Sequence, residues 1–377
     1  MRVFFFWLLV LMFLLEPLAV AEPLSMADNA QQLMVSARAS VLVDRASGRV
    51  MYAQNADELL PIASTTKIMT ALLALEQSKP GDMVTASQNA SGVPGTSIYL
   101  SVGETLTMRD MLLGLMLRSG NDAAVAIAEH VAGSVDAFVR RMNRRAEEIG
   151  ATAYFTNPHG LDQRGNGASA LGLAKIACEA LKNPDFRKLV TTQEATLPWA
   201  GSQYLRSLSN KNKLLKSYPG ATGVKTGFTD LAGRCLVFSA QRDGMELVGV
   251  VLGCGTWFET GQTLLDWGFS NFHPVKLLAA GEIAAEVPVA GGVRGYACAV
   301  AREDFIVPVM DNERCELKLE LPSLAAPVAA GQALGTARAM VDGKPVAEIP
   351  LYAADSVELR DYLSMFGKLL RFWRLWP

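Results

Sequence analysis

Hydrophobic and polar positions follow two periods along this chain. Residues 39–44 (ASVLVD) read as a strand, Arg45-Ala46-Ser47-Gly48 as a turn, and 49–53 as a returning strand. Strands recur at 223–228, 234–240 and 245–252, the last two joined through Arg242-Asp243-Gly244, a hairpin signal. Five strands split between the two ends of one region predict an antiparallel sheet whose first hairpin lies beside its last three strands. Between them the period becomes helical. Thr107 with Asp110 makes a capping-box-like start for a helix over 108–117. Helices follow over 122–131, 135–149 and 171–181, with another at 259–269 behind the sheet. Arg140, Arg141, Arg144 and Arg145 share one side of the 135–149 helix and read as a solvated face.

The pattern changes near Ala280. From 280 to 357 short alternating runs are broken by Gly291-Gly292, Asp342-Gly343, Pro322, Pro327, Pro345 and Pro350, which predicts a small β-sandwich-like domain. The two ends are different again. Arg2 precedes an apolar run from Val3 to Leu15, too short for a hydrocarbon core of about 30 Å, and Ala19-Val20-Ala21 offers small residues for a signal peptidase. Residues 1–21 are therefore expected to be a signal peptide cleaved after Ala21. At the other end Leu359, Tyr362, Leu363, Phe366, Leu369, Leu370, Trp373 and Trp376 recur at helical spacing, opposite Arg360, Ser364, Lys368, Arg371 and Arg374. A basic, tryptophan-bearing amphipathic helix over 358–377 is expected to lie in a membrane interface rather than cross it. The chain would then be exported and held peripherally on the extracytoplasmic face of a bacterial membrane.

Composition narrows the function classes. The 377 residues carry 35 Lys+Arg and 37 Asp+Glu, a formal net charge of −2, so nothing in the global balance points to nucleic acid. Five cysteines (Cys178, Cys235, Cys254, Cys298, Cys315) and three histidines (His130, His159, His273) show no metal-ligand spacing. A disulfide within the 298–315 segment is open, and mostly buried free thiols is the reading adopted.

Three short motifs carry chemistry. Ser64-Thr65-Thr66-Lys67 places a hydroxyl three residues from an amine, at the start of a helix whose Ile68, Met69, Ala71, Leu72, Leu73 and Leu75 make it apolar enough to be buried. The hydroxyl lies near the positive end of the helix dipole, and desolvation would push the Lys67 ammonium to lose its proton and so accept that of Ser64. Ser119-Gly120-Asn121 falls where one apolar helix ends and the next begins. Lys225-Thr226-Gly227 lies on a strand whose mid-strand glycine marks close approach, expected here to be a peptide substrate lying antiparallel. A second S-x-N, Ser87-Gln88-Asn89, falls in a predicted loop after Pro80-Gly81 and is set aside. An S-x-x-K alone should occur about once in such a chain by chance, so the weight rests on order and context.

With Ile62-Ala63 before the first motif, Ile68-Met69-Thr70 after it, Asn157-Pro158-His159-Gly160-Leu161 in the middle and Phe228-Thr229 at the end, the chain resembles the serine-type D-Ala-D-Ala carboxypeptidases, the low-molecular-mass penicillin-binding proteins. The likeness runs from about Ala37 to Phe272. It implies an α+β, β-lactamase/DD-peptidase-like domain over 30–275, a five-stranded antiparallel sheet with flanking helices and a helical subdomain. The β domain at 280–357 and the amphipathic helix at 358–377 fit the same organisation. It implies an acyl-enzyme on Ser64, Lys67 as general base, and Ser119 and Asn121 completing a proton relay and holding the substrate amide. Lys225 and Thr226, with Gly227 beside them, would bind the terminal carboxylate, and the N–H groups of Ser64 and Phe228 would form the oxyanion hole. His159 is expected to shape its loop rather than act in chemistry, and Arg234 could assist with the carboxylate. The implied partners are a peptidoglycan pentapeptide and β-lactams, with no cofactor and no metal. Three other readings stand beside this one: a β-lactamase, a DD-endopeptidase, and a non-hydrolytic β-lactam sensor. The first is disfavoured because no Glu-x-x-Leu-Asn stretch occurs between Ser119 and Lys225 to activate a deacylating water.

Overall fold

The computed structural model describes residues 33–361 together with Phe366. The expected signal peptide and most of the amphipathic tail (362–365 and 367–377) lie outside these residues. Among the described residues no helix is long and apolar enough to cross a membrane.

The catalytic-side unit is organised on one antiparallel sheet. Its strands are β1 (Ala39–Asp44), β2 (Val50–Gln54), β3 (Ala221–Thr229), β4 (Gly233–Arg242) and β5 (Met245–Leu252), in the order β2-β1-β5-β4-β3. The first hairpin therefore does lie beside the last three strands, and β3 is a sheet edge. All residues of β1 and β5 are buried. Both faces of these central strands are covered, which is why they read as continuous apolar runs rather than as alternation. The β4–β5 turn has Asp243 and Gly244 both at positive φ (49° and 82°), as a tight hairpin of right-twisted strands requires.

One face of the sheet packs on α7 (Trp257–Asn271) through Leu42, Leu236, Phe238, Leu247, Leu264 and Leu265. The other carries the helical subdomain: α1 (Lys67–Gln77), α2 (Met108–Leu113), α3 (Asn121–Ala132), α4 (Val135–Ile149), α5 (Ala170–Ala180) and α6 (Pro184–Thr191). Ile68, Leu72, Met111, Ile127, Phe138 and Leu173 join Val41, Val237 and Val250 in one core. The Thr107 hydroxyl accepts from the Asp110 N–H, so the predicted cap of α2 forms. That helix does not run evenly to 117, because Gly114–Arg118 is a π-helical turn.

Sequence pattern missed α6, although Asn183 caps it and Pro184 occupies its first turn. It also missed three short strand pairs, Met83–Thr85 with Thr105–Thr107, Ala153–Tyr154 with Gly167–Ala168, and Glu194–Leu197 with Arg206–Ser209. Ser87-Gln88-Asn89 is not a loop either. Ser87 caps a short helix, Gln88–Ser91, and its hydroxyl and the Asn89 amide both donate to Glu129, so this S-x-N serves structure.

From His273 to Asp361 the regular structure is all β. Strand His273–Leu278 pairs with Phe305–Val309, and a six-stranded sheet encloses a core of Val, Ala, Leu and Phe. The β pattern begins directly after α7, ahead of the change in composition at Ala280, with no linker to mark it. Arg49 joins the two units. Its guanidinium is fully buried, donates to the Pro308 carbonyl and to Glu313 Oε1 (2.5 Å), and lies 5.2 Å from the Phe272 ring centre. All five cysteines are free, Cys235 and Cys254 buried and the other three partly so.

Candidate active site

Ser64 sits in a 3-10 turn, Ala63–Thr66, that leads into α1 at Lys67. The expected start at Ser64 is thus a tighter turn than an α-helix. This matters chemically, because residues i and i+3 eclipse in a 3-10 turn. Lys67 Nζ consequently stands 2.8 Å from Ser64 Oγ. Its other partners are Asn121 Oδ1 at 2.8 Å and the His159 carbonyl at 2.5 Å.

These three contacts constrain where protons go. Asn121 Oδ1 and the His159 carbonyl can only accept. A neutral Lys67 amine has two N–H donors, one for each, and its lone pair then faces the Ser64 hydroxyl, which donates to it. After proton transfer an ammonium has three donors for the same three oxygens. The geometry serves both states without rearrangement. Burial pushes the Lys67 pKa well below 10.5, and the Lys225 and Lys211 charges push it further, while Asp122 opposes them.

The approach of the motifs rests on two glycines. Gly227 of β3 faces the 3-10 turn, and a Cβ there would stand 3.0 Å from Ile62 O and from Ser64 N. The close approach inferred at this glycine is therefore made by the chain's own backbone, not by a substrate peptide. Gly160 (φ +85°) is tighter, since a Cβ would come within 1.9 Å of Ala63 O. Asn157 Oδ1 accepts from the N–H groups of His159 and Gly160, and Thr70 Oγ1 donates to Pro158 O, so the 157–161 loop is docked on α1 with the His159 carbonyl at Lys67. The His159 ring is turned to its own loop, Nδ1 accepting from Leu161 N, and burial together with Lys67 lowers its pKa to about 4.

Ser119 ends the π-helical turn in the left-handed region (φ 65°), and Asn121 opens α3 two residues later. Asn121 Nδ2 donates to Pro94 O, which fixes the carboxamide so that Oδ1 meets Lys67. Ser119 Oγ is buried with no hydrogen-bond partner among the described residues. Lys225, 1 % exposed on β3, donates to Thr226 O, and its pKa falls to about 7 through burial and then the Lys211 charge. Lys211 was not anticipated; it is itself lowered by burial and by Arg118. The cleft thus gathers the amines of Lys67, Lys225 and Lys211, each pulled below the ordinary lysine value by burial, an arrangement suited to a carboxylate-bearing electrophile. Phe228 is exposed beside Gly227. Arg234, opposite Phe228 in the ladder, donates to Gly255 O and lies 5.9 Å from the Trp257 ring centre, contacts that hold it to the α7 end rather than to the motifs.

Residues 26–256 match the family model for D-alanyl-D-alanine carboxypeptidase. The chain belongs to the D-alanyl-D-alanine carboxypeptidase family. Residues 272–359 of this family member match the C-terminal domain of penicillin-binding protein 5. It is 34 % identical to D-alanyl-D-alanine carboxypeptidase DacF of Bacillus subtilis (strain 168), over 91 % of each chain. It is 33 % identical to DacC of Escherichia coli (strain K12), over 96 % of this chain and 92 % of that one. Among solved structures, penicillin binding protein 5 from Haemophilus influenzae superposes with a TM-score of 0.74 at 32 % identity, covering 86 % of this chain and 98 % of that one. A Streptomyces K15 DD-transpeptidase variant superposes with a TM-score of 0.60 at 33 % identity, covering 63 % and 99 %.

Sequence reasoning did not foresee the main-chain carbonyl of His159 in this carboxypeptidase-family site. The only available signal was Asn157-Pro158-His159-Gly160, an Asx-type turn that would fix a carbonyl's direction.

Proposed function

We propose that this protein removes the terminal D-alanine from peptidoglycan stem peptides through an acyl-enzyme on Ser64, and that β-lactams acylate the same hydroxyl. The observation that carries this reading is the buried Lys67 amine 2.8 Å from Ser64 Oγ, with its remaining contacts on two obligate acceptors. Ser64 Oγ gives its proton to Lys67 Nζ and attacks the carbonyl carbon of the penultimate D-Ala. The N–H groups of Ser64 and Phe228 hold the oxyanion, each such donor lowering the barrier by about 3–4 kcal/mol. The C–N bond breaks as the leaving amine takes a proton by way of Ser119 Oγ, and Asn121 holds the substrate amide. Lys225 and Thr226 bind the terminal carboxylate, in the field to which Lys211 contributes. Water then attacks the ester, returns a proton through Lys67, and frees the shortened peptide.

An exported enzyme held by 358–377 at the outer face of the cytoplasmic membrane suits this substrate, and the sequence patterns at the two ends support that location. The test of function is release of D-alanine from a D-Ala-D-Ala-ended pentapeptide, with mass spectrometry of the β-lactam-treated protein. One covalent adduct, absent in Ser64→Ala, and sustained D-alanine release are expected. An adduct without turnover would mark a sensor, and transfer only to added amines would mark a transpeptidase. For location, a chain ending at Val357 is expected to leave the membrane fraction, and its retention there would refute the anchor.

A further inference from the structure

Two segments of the catalytic half are docked on the Ser119-Gly120-Asn121 element, and the reaction uses neither of their tips. One is 95–104. Thr96 O accepts from Asn121 N, the Asp122 carboxylate accepts from Ile98 N, Leu100 N and Ser97 Oγ, and the Ile98 side chain lies against Gly120. The other is the hairpin of Glu194–Leu197 with Arg206–Ser209, whose base runs into Lys211, where the N–H donates to Leu117 O. A buried ion pair locks the two together. Arg206 donates to Glu104 Oε1 (2.9 Å), to Tyr99 O (3.2 Å) and to Pro198 O (2.9 Å), and its guanidinium lies 5.4 Å from the Trp199 ring centre. A buried pair contributes little net stability, so its effect here is to fix the position of what it holds.

What it holds is a set of exposed rings. Tyr99 is 66 % exposed, Tyr204 69 % and Trp199 39 %, with Val102 and Leu205 exposed on the same two segments. Tyr99 is kept at φ 62°, a left-handed conformation that a bulky residue adopts only where its surroundings impose it. Aromatic rings held rigidly in solvent mark a surface built to be covered. The chemistry of the tip narrows what covers it. Residues 198–205 (PWAGSQYL) carry no charge and place a hydroxyl and an amide, Ser202 and Gln203, between Trp199 and Tyr204. A membrane contact calls for Lys or Arg around the rings. Flat rings with uncharged polar neighbours suit the apolar faces and hydroxyl edges of a neutral sugar. An antiparallel stem on β3, its carboxylate at Lys225 and Thr226, runs its earlier residues toward Thr229. That direction leads away from Lys211 and the hairpin base, so the sugar carrying that stem lies elsewhere.

We propose that Trp199, Tyr204 and Tyr99 form a ledge for the N-acetylhexosamine rings of a glycan strand neighbouring the one whose stem is being cut. The assignment rests on the peptidoglycan reading above. It is tested on the full-length protein by ligand-observed NMR titration with tetra-N-acetylchitotetraose, a stem-free oligomer of such a sugar. A second arm compares D-alanine release from pentapeptide-rich sacculi with release from a soluble D-Ala-D-Ala-ended tripeptide. The wild type should bind the oligomer, with affinity falling about two- to tenfold in Trp199→Ala and in Tyr204→Ala. Release from sacculi should fall by a similar factor while the tripeptide rate stays unchanged. Tyr204, the more exposed ring, keeps the test decisive should Trp199→Ala disturb the hairpin. No binding of the oligomer, an affinity unchanged in both variants, or sacculus and tripeptide rates falling together would overturn the proposal. Binding to phospholipid vesicles that is lost in the same variants, with no oligomer binding, would make the ledge a membrane contact instead. If the wild type releases no D-alanine from the tripeptide and penicillin fails to acylate Ser64, the carboxypeptidase reading fails, while the oligomer titration still decides the ledge.

Discussion

The two halves of this molecule differ in what they bury. The all-β half from His273 onward has a core of Val, Ala, Leu and Phe and, among described residues, no buried polar residue in that core. Among its described residues the one non-glycine at positive φ is Asp342, in a hairpin turn. The catalytic half buries Lys67, Lys225, Asp122, Asn121 and Ser119, and holds Ala63, Tyr99 and Ser119 in the left-handed region. Buried charges, unpaired hydroxyls and strained backbone each oppose folding by roughly 1–3 kcal/mol. Lys67, Asn121 and Ala63 stand together beside Ser64, where the surrounding core over-determines them. A half built only for packing has no need of them.

The largest break in this contrast should come from Lys67. Replacing it with methionine keeps an apolar stem in the pocket and removes the base, and acylation by penicillin should slow by about 10²–10⁴-fold in stopped-flow measurements. Next is Gly160→Ala, whose methyl group would meet the Ala63 carbonyl; we expect a loss of about 3 kcal/mol in denaturant unfolding. Glu313→Ala leaves the buried Arg49 guanidinium without its carboxylate, at a similar cost of about 3 kcal/mol, and should separate the unfolding of the two halves into distinct transitions.

Smaller effects sharpen the comparison. Ser119→Ala should lower kcat about 10²-fold while leaving stability unchanged or raising it by about 1 kcal/mol, because the hydroxyl it removes is buried and unpaired. A loss of both activity and stability would show that Ser119 belongs to the packing instead. Lys225 titrates at about 7 in the folded chain, against an ordinary 10.5. It is charged below that pH and neutral above it, so the affinity for a carboxylate-ended peptide should fall as pH rises through about 7. Lys225→Arg, charged throughout, should flatten that limb of the kcat/KM profile.

The legibility of the chain divided along the same line. Strands β1 and β5 and the Asp243-Gly244 turn could be read because burial on both faces and a tight hairpin leave direct marks on residue type. The order of the sheet followed from their placement. Helix α6 was marked by Asn183 and Pro184 and was passed over, while strand pairs of two to four residues are too short for periodicity to register. At the site, Ser64, Lys67, Asn121 and Lys225 were visible as side chains. What set their geometry was backbone: the 3-10 turn at 63–66, the π-helical turn at 114–118, the His159 carbonyl, and the contact of Gly227 with Ile62 and Ser64. Main-chain groups are the same in every residue, so only their neighbours betray them.

The central claim is that a desolvated, uncharged Lys67 activates Ser64. Its most direct test is an NMR titration of the Lys67 side chain, assigned by comparison with Lys67→Met. The account predicts a midpoint far below the ordinary lysine value of 10.5, with the amine signal responding when Ser64 is acylated. A Lys67 that titrates at or above 10.5 would contradict it.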